Sequence, residues 1–207
     1  MTRFRPLLVL LAAVLALGLT APSSRAQGQQ STQQEIRTML EQRDRQIKSI
    51  LSGSSDYSQE QRTRLKELIN GVIDFRSMAE TALGPHWDTL GTDRRDRFVE
   101  VFRDVVRAQS MSDLDVYNSR VTFDQISVQD DSARVRTMTE YQGTRTPVVY
   151  DLLRQDGEWK AEDIILDGVS TAEGYARSFQ SVMRKRGFDA LMTALERKRK
   201  QTASKEG

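Results

Sequence analysis

Apolar side chains recur along the chain first with the period of a helix, then with that of a strand, then with that of a helix again. Ile36, Met39, Leu40, Ile47, Ile50 and Leu51 fall on one side of a helix. Ser31 and Thr32, each with Gln or Glu three residues on, offer the capping-box arrangement that would start it. Gly53 to Asp56 breaks that helix, and Ser58 with Gln61 opens a second carrying Leu65, Leu68, Ile69 and Val72. Asp74 is placed to cap a third, in which Phe75, Met78, Ala79, Ala82 and Leu83 form one stripe. Gly84 and Pro85 stop it and put His86 and Trp87 on a tight corner. Thr92 begins a fourth helix with Phe98, Val101, Phe102, Val105 and Val106 on one face.

From Arg120 the period becomes two. Val121 and Phe123, then Ile126 and Val128, read as a strand whose phase slips near Asp124-Gln125, the mark of a bulge. Val135, Thr137, Thr139 and Tyr141 share a face of a second strand, a third runs from Thr146 to Arg154, Asp156-Gly157 makes a hairpin turn, and Trp159 to Leu166 forms a fourth. Four consecutive strands with short turns imply an antiparallel meander. Ser170 with Glu173 then caps a helix that turns Tyr175, Phe179, Val182 and Met183 inward and ends at Gly187. Phe188, Leu191, Met192 and Leu195 make a last short helix fraying into a charged tail. The predicted class is α+β: a curved four-stranded antiparallel sheet packed with helices, plus a small helical subdomain. Where such helices do not close completely over the sheet, the gap is an apolar pocket.

The first 26 residues read as an export signal rather than as part of the fold. Arg3 and Arg5 precede the apolar run Leu7 to Leu19, and Ser24-Arg25-Ala26 supplies the small-x-small cleavage pattern. The run is shorter than the roughly 20 residues of a membrane-spanning helix. The expected organisation is a signal peptide at 1–26, a polar linker at 27–30, one domain at 31–200 and a disordered tail at 201–207, with the mature product soluble outside the cytoplasm. Loss of Arg3, Arg5 and Arg25 turns the formal charge of +2 into about −1, with 28 basic against 29 acidic residues. Nucleic acid is therefore not an expected partner. The local basic runs Arg184-Lys185-Arg186 and Arg197 to Lys200 suit solvated helix ends or contact with an anionic surface.

Candidate catalytic chemistry is sparse. Cysteine is absent, so disulfides, thiolate metal sites and cysteine nucleophiles are excluded. His86 is the only histidine and has no nucleophile motif near it. Asp113 with Asp115, and Asp130 with Asp131, lack calcium-loop spacing. Asp151 and Asp163 lie on strands, where they would serve as acids or bases only if turned into a pocket. The apolar stripes dominate instead, each element offering one face to a common interior. Periodicity alone fits either a filled core or a lined pocket.

Several motifs occur together and in order: Asp74 to Trp87; Arg97-Phe98-Val99-Glu100-Val101-Phe102-Arg103; Pro147-Val148-Val149-Tyr150-Asp151-Leu152; Gly157 to Ile165; Asp167-Gly168-Val169-Ser170; Tyr175 to Phe179; and Gly187-Phe188-Asp189-Ala190-Leu191. This ordered set resembles the MlaC, or toluene-tolerance, family of periplasmic phospholipid-binding proteins, over roughly residues 35 to 197. Gly174 and the stretch Gln109 to Ser112 depart from the family pattern. The resemblance implies a nuclear-transport-factor-2-like sheet with added helices and a deep pocket holding acyl chains. It further implies a monomeric, non-enzymatic shuttle with no cofactor other than its phospholipid cargo. That shuttle would run between an outer-membrane lipoprotein–porin complex and an inner-membrane MCE-ring ABC transporter, maintaining outer-membrane lipid asymmetry. On this reading the pocket is lined by Phe75, Met78, Phe98, Phe102, Val105, Val149, Leu152, Trp159, Ile165, Phe179 and Met183. Another apolar cargo such as a hopanoid, a small acid/base enzyme on the same kind of sheet, and a chaperone with an open apolar groove are the competing expectations.

Overall fold

The computed structural model describes residues 24–53 and 56–206. Helices α1 (Ser24–Leu51), α2 (Gln59–Asn70), α3 (Phe75–Leu83) and α4 (Thr92–Ser110) precede the strands β1 (Arg120–Gln129), β2 (Ser132–Tyr141), β3 (Thr144–Gln155), β4 (Glu158–Leu166) and β5 (Val169–Ser170); α5 (Thr171–Glu206) closes the chain. Single 3-10 turns follow α3 (Gly84–His86) and precede β1 (Asp115–Asn118).

The strands form one antiparallel sheet in the order β1-β2-β3-β4-β5. Three of its hairpins turn on two residues with both φ positive: Gln142-Gly143 (49° and 80°), Asp156-Gly157 (51° and 82°) and Asp167-Gly168 (49° and 77°). That geometry matches the right-handed twist of the flanking strands, and glycine at the second position adopts it without strain. The expected bulge lies between Phe123 and Gln125, where Asp124 is extra. A second bulge makes Glu162 the extra residue on β4.

Four differences from the sequence expectations have physical reasons. The sheet has five strands rather than four, because Asp167-Gly168 is a hairpin turn followed by a two-residue strand too short to show any period. Residues 27–30, expected as a linker, belong to α1. Glutamine is a good helix former, and the Ser31 and Thr32 hydroxyls donate back to the Gly28 carbonyl inside the helix instead of capping it. After a kink at Gly187 (φ 78°, ψ 178°), α5 resumes and runs to Glu206, so the second half is neither short nor a disordered tail. Arg199 holds it to α4 through Glu100 and Asp104, both at 3.3 Å. The expected export signal falls mostly on residues 1–23, outside the described residues.

Apolar packing divides into three clusters. One lies among α3, α4 and α5 and is rich in aromatics: Phe98 stacks on Phe102 at 5.7 Å, and Phe179 stands edge-on to both at 5.9 and 5.8 Å. A second joins Ile36 of α1 to one face of the sheet through Ile126, Ala133, Val135, Leu152, Trp159 and Ala161. A third joins α1 to α2 through Ile47, Leu51, Leu65 and Leu68. The segment between α2 and α3 is pinned to the sheet by backbone pairing, where Ile73 bridges to Ala161. There the Asp74 amide donates to the Ala161 carbonyl (2.8 Å) and the Ala161 amide to the Val72 carbonyl (2.6 Å).

Candidate functional site

The segment from Asp74 to Trp87 is built as a corner. Asp74 Oδ1 accepts from the amides of Arg76 (2.9 Å) and Ser77 (3.1 Å), and Oδ2 from Ser77 Oγ (2.6 Å) and Gln155 Nε2 (2.7 Å). Partial burial alone would raise its pKa, but these donors outweigh burial and hold the carboxyl below its ordinary value. Gly84 ends α3 at φ 54°, ψ −129°, a conformation reserved for glycine, and a β-carbon there would stand 2.6 Å from Gln180 Nε2 on α5. Trp87 is buried in the α3–α4–α5 core, with the guanidinium groups of Arg76 and Arg95 at 5.7 and 5.3 Å from its ring. Arg95 Nε also donates to the Trp87 carbonyl (2.9 Å). Every side chain that gives the segment its character thus serves the corner.

The eleven predicted lining residues do not form one wall. Phe75, Met78, Phe98, Phe102, Val105, Phe179 and Met183 come together in the α3–α4–α5 core, where Phe98 and Phe102 are fully buried and packed against one another. Leu152 and Trp159 lie in the cluster under α1. Val149 and Ile165 pair directly across β3 and β4, on the opposite face of the sheet from Leu152. Trp159 Nε1 is buried without a hydrogen-bond partner.

Side chains that keep part of their surface accessible mark a different place, the margins of the three clusters, which together form a seam in the packing. Tyr150 and Ile164 flank the sheet cluster, Met111, Leu114 and Tyr117 flank the α1–α2 cluster, and Tyr175 flanks the α3–α4–α5 core. Two of these tyrosines bond the C-terminal end of α4. Tyr117 donates to the Ser110 carbonyl (3.1 Å), and Tyr175 donates to Gln109 Oε1 (3.2 Å). Beyond burial, Tyr150 in turn adds to the upward shift of Tyr117. Burial pushes Tyr117 up to about 12, with the neighbouring Tyr150 and Asp113 adding to it against the bond to Ser110. Burial, then Asp44, pushes Tyr150 up to about 12. Tyr150 is therefore deep in the molecule while retaining accessible surface, as a side chain lining an internal seam does.

The polar groups offer little for catalysis. Asp151 is engaged bidentately by Arg134 at 2.6 and 2.7 Å. Asp163 accepts from Ser170 Oγ and from the Ala172 amide, tying β4 to the start of α5. Glu162, on the bulge, has its pKa raised by burial and then by Asp151, Asp74 and Asp163. It borders an open cleft of about 490 Å³ with Ser77, Glu80, Thr81, Gly84, Trp87 and Asp88, which is polar and contains none of the eleven predicted residues. Among the described residues no group of three or more His, Asp or Glu side chains is placed to hold a metal ion.

The family model described as "MlaC protein" matches residues 41–197, most of the chain. The chain belongs to the MlaC family. The MlaC match runs from the middle of α1 to the second half of α5, so it includes the corner, the seam and the whole sheet. Toluene tolerance protein Ttg2D from Pseudomonas putida is 27% identical over 192 residues, covering 89% of this chain and 84% of that protein. A phospholipid-binding protein from Ralstonia solanacearum, solved in complex with a phospholipid, superposes with a TM-score of 0.67 over 83% of this chain and 98% of that one, at 19% identity. That likeness establishes a shared fold.

Seam residues were partly visible in the MlaC-like sequence motifs. Tyr150, Ile164 and Tyr175 all stand within them, but periodicity assigns a residue to a face and cannot say how completely that face is covered. Met111, Leu114 and Tyr117 lie in a stretch with no period, between α4 and β1, and carried no signal.

Proposed function

We propose that this chain is a soluble periplasmic carrier that holds the acyl chains of a phospholipid in the seam between its three apolar clusters. The observation that carries the reading is that half-buried apolar and tyrosyl side chains flank all three clusters, with the tyrosines of two of them bonded to the end of α4. A domain of this size usually has one contiguous core. Three cores with accessible apolar margins leave surface that an apolar guest can cover. Each acyl methylene withdrawn from water contributes about 0.8 kcal/mol, so two ordinary chains amount to roughly 20 kcal/mol of exposure that a carrier prevents. The tyrosine hydroxyls give the polar ester region of such a lipid something to bond to. Family membership and the phospholipid held by the Ralstonia protein support the same reading.

The carrier works as a shuttle between an outer-membrane lipoprotein–porin complex and an inner-membrane MCE-ring ABC transporter, serving outer-membrane lipid asymmetry. It has no energy source or chemistry of its own. Asp151 and Asp163, the carboxylates an enzyme on this sheet would need, are already engaged in structural bonds. The apolar run that opens the sequence supports export.

Organic extraction of the purified protein followed by mass spectrometry should recover stoichiometric phospholipid; a hopanoid would redefine the cargo, and a lipid-free protein would overturn the reading. Filling the seam with Leu114→Trp or Ile164→Trp should lower lipid content several-fold while the fold persists. Phe102→Asp, by contrast, places a charge in a closed core and should abolish folding.

A further inference from the structure

The outer face of the sheet poses a question that a lipid-holding seam does not answer. Cross-strand partners share a face, so the register defines three rows there: Arg120–Glu140–Arg145, Thr122–Met138–Pro147, and Gln125–Arg136–Val149–Ile165. The first and second rows enclose a cleft of about 210 Å³ bounded by Arg120, Thr122, Met138, Glu140 and Arg145. Met138, Val149 and Ile165 are only half-buried, and α1 covers the other face. Arg120, Arg136 and Arg145 are exposed. Among the described residues none of them forms a salt bridge within 4 Å, although Glu140 stands directly between two of them. Arg134, in the next row, is occupied by Asp151.

We infer that this face is a docking surface for a protein partner whose matching patch carries carboxylates around an apolar centre. The inference rests on the carrier reading only in that a carrier must dock to exchange its cargo. Three exposed arginines against the one carboxylate of Glu140 leave a positive excess on these rows. The apolar centre of Met138, Val149 and Ile165 ringed by arginine has the composition of a protein interface, in which Met and Arg are enriched and Lys depleted. A membrane-surface site would bring Trp, Phe or Leu to its apolar side, and these rows contain none of them. Guanidinium groups also suit carboxylates geometrically, through paired N–H donors. Four strands about 4.8 Å apart and about 33 Å long present roughly 600 Å². That is below the ~800 Å² per partner of a stable complex and fits a contact that must be released.

A photo-crosslinking amino acid at Met138 in the full-length protein, expressed in its native cells, tests this. The expected result is a protein adduct, identified by mass spectrometry, whose crosslinked surface bears Asp or Glu. It should fall about tenfold in Arg136→Glu/Arg145→Glu and return when a partner carboxylate at the contact is changed to Arg. An adduct with lipid only, an adduct with a second copy of this chain, no adduct, or an adduct indifferent to the charge reversal would each overturn the inference. Lipid content measured on the same preparations separates the two readings. A lipid-loaded protein without adduct removes the docking face and leaves the carrier, whereas a lipid-free protein with a charge-dependent adduct does the reverse.

Discussion

Asp74 concentrates several jobs in one carboxylate: it caps α3, fixes Ser77 and reaches across to Gln155 at the end of β3. Asp74→Ala should cost about 1–2 kcal/mol in urea unfolding, the usual worth of an N-cap. Its pKa is lowered in the folded protein, so the stability it contributes is full above the unfolded carboxylate value near 3.9 and is lost as pH falls through the lower folded value. The difference between wild type and Asp74→Ala should accordingly shrink as melts are repeated from pH 5 downward. The tyrosines act at the other end of the scale. Because Tyr117 and Tyr150 are raised to about 12, their contribution is full below the unfolded value near 10 and disappears as pH rises through 12. Tyr141 and Tyr175 are raised as well, so spectrophotometric titration should show most of the tyrosine absorbance arriving late, and Tyr150→Phe should remove part of its last phase. At this scale the sequence was informative about Asp74, whose role is local, and silent about Tyr117, whose role depends on a neighbour from another cluster.

Elements were legible wherever a side-chain period ran for two turns or more. α2 opens with Ser58 and Gln61 in the expected reciprocal cap, α3 ends at Gly84, and the β1 bulge falls where the phase slips. What periodicity could not supply was length beyond the last apolar residue. The polar first turns of α1 and the charged end of α5 are helical because nothing in them breaks a helix, and no stripe announces it. The period of two did put Val149 and Leu152, three residues apart on β3, on opposite faces, so they could not line one wall. Gly84 is an element boundary that tolerates little change. Gly84→Ala should destabilise by about 1–3 kcal/mol, reflecting a backbone conformation closed to other residues. Adding Gln180→Ala should recover only the part due to crowding; full recovery in thermal melts would show that the backbone is not strained.

For the whole molecule, the three clusters make stability depend on what lies between them. Stripping lipid with detergent should lower the melting temperature by several degrees, and adding phospholipid back should restore it, since a ligand bound only by the folded state stabilises by mass action. The α+β class and the meander followed directly from the order of periods along the chain. The division of the interior into three cores did not, because it depends on how far α1 and α4 stand from the sheet. The pin at residues 72–74 also constrains movement. Backbone bonds between Val72, Asp74 and Ala161, with Gln155 holding the Asp74 carboxylate, make this place a fixed pivot. If the helices move to admit a guest, travel should be least at residues 72–74 and greater toward the end of α4 and the turn before β1, which carry Met111, Leu114 and Tyr117; amide exchange of Asp74 and Ala161, slower than that of residues 111–117, would check it.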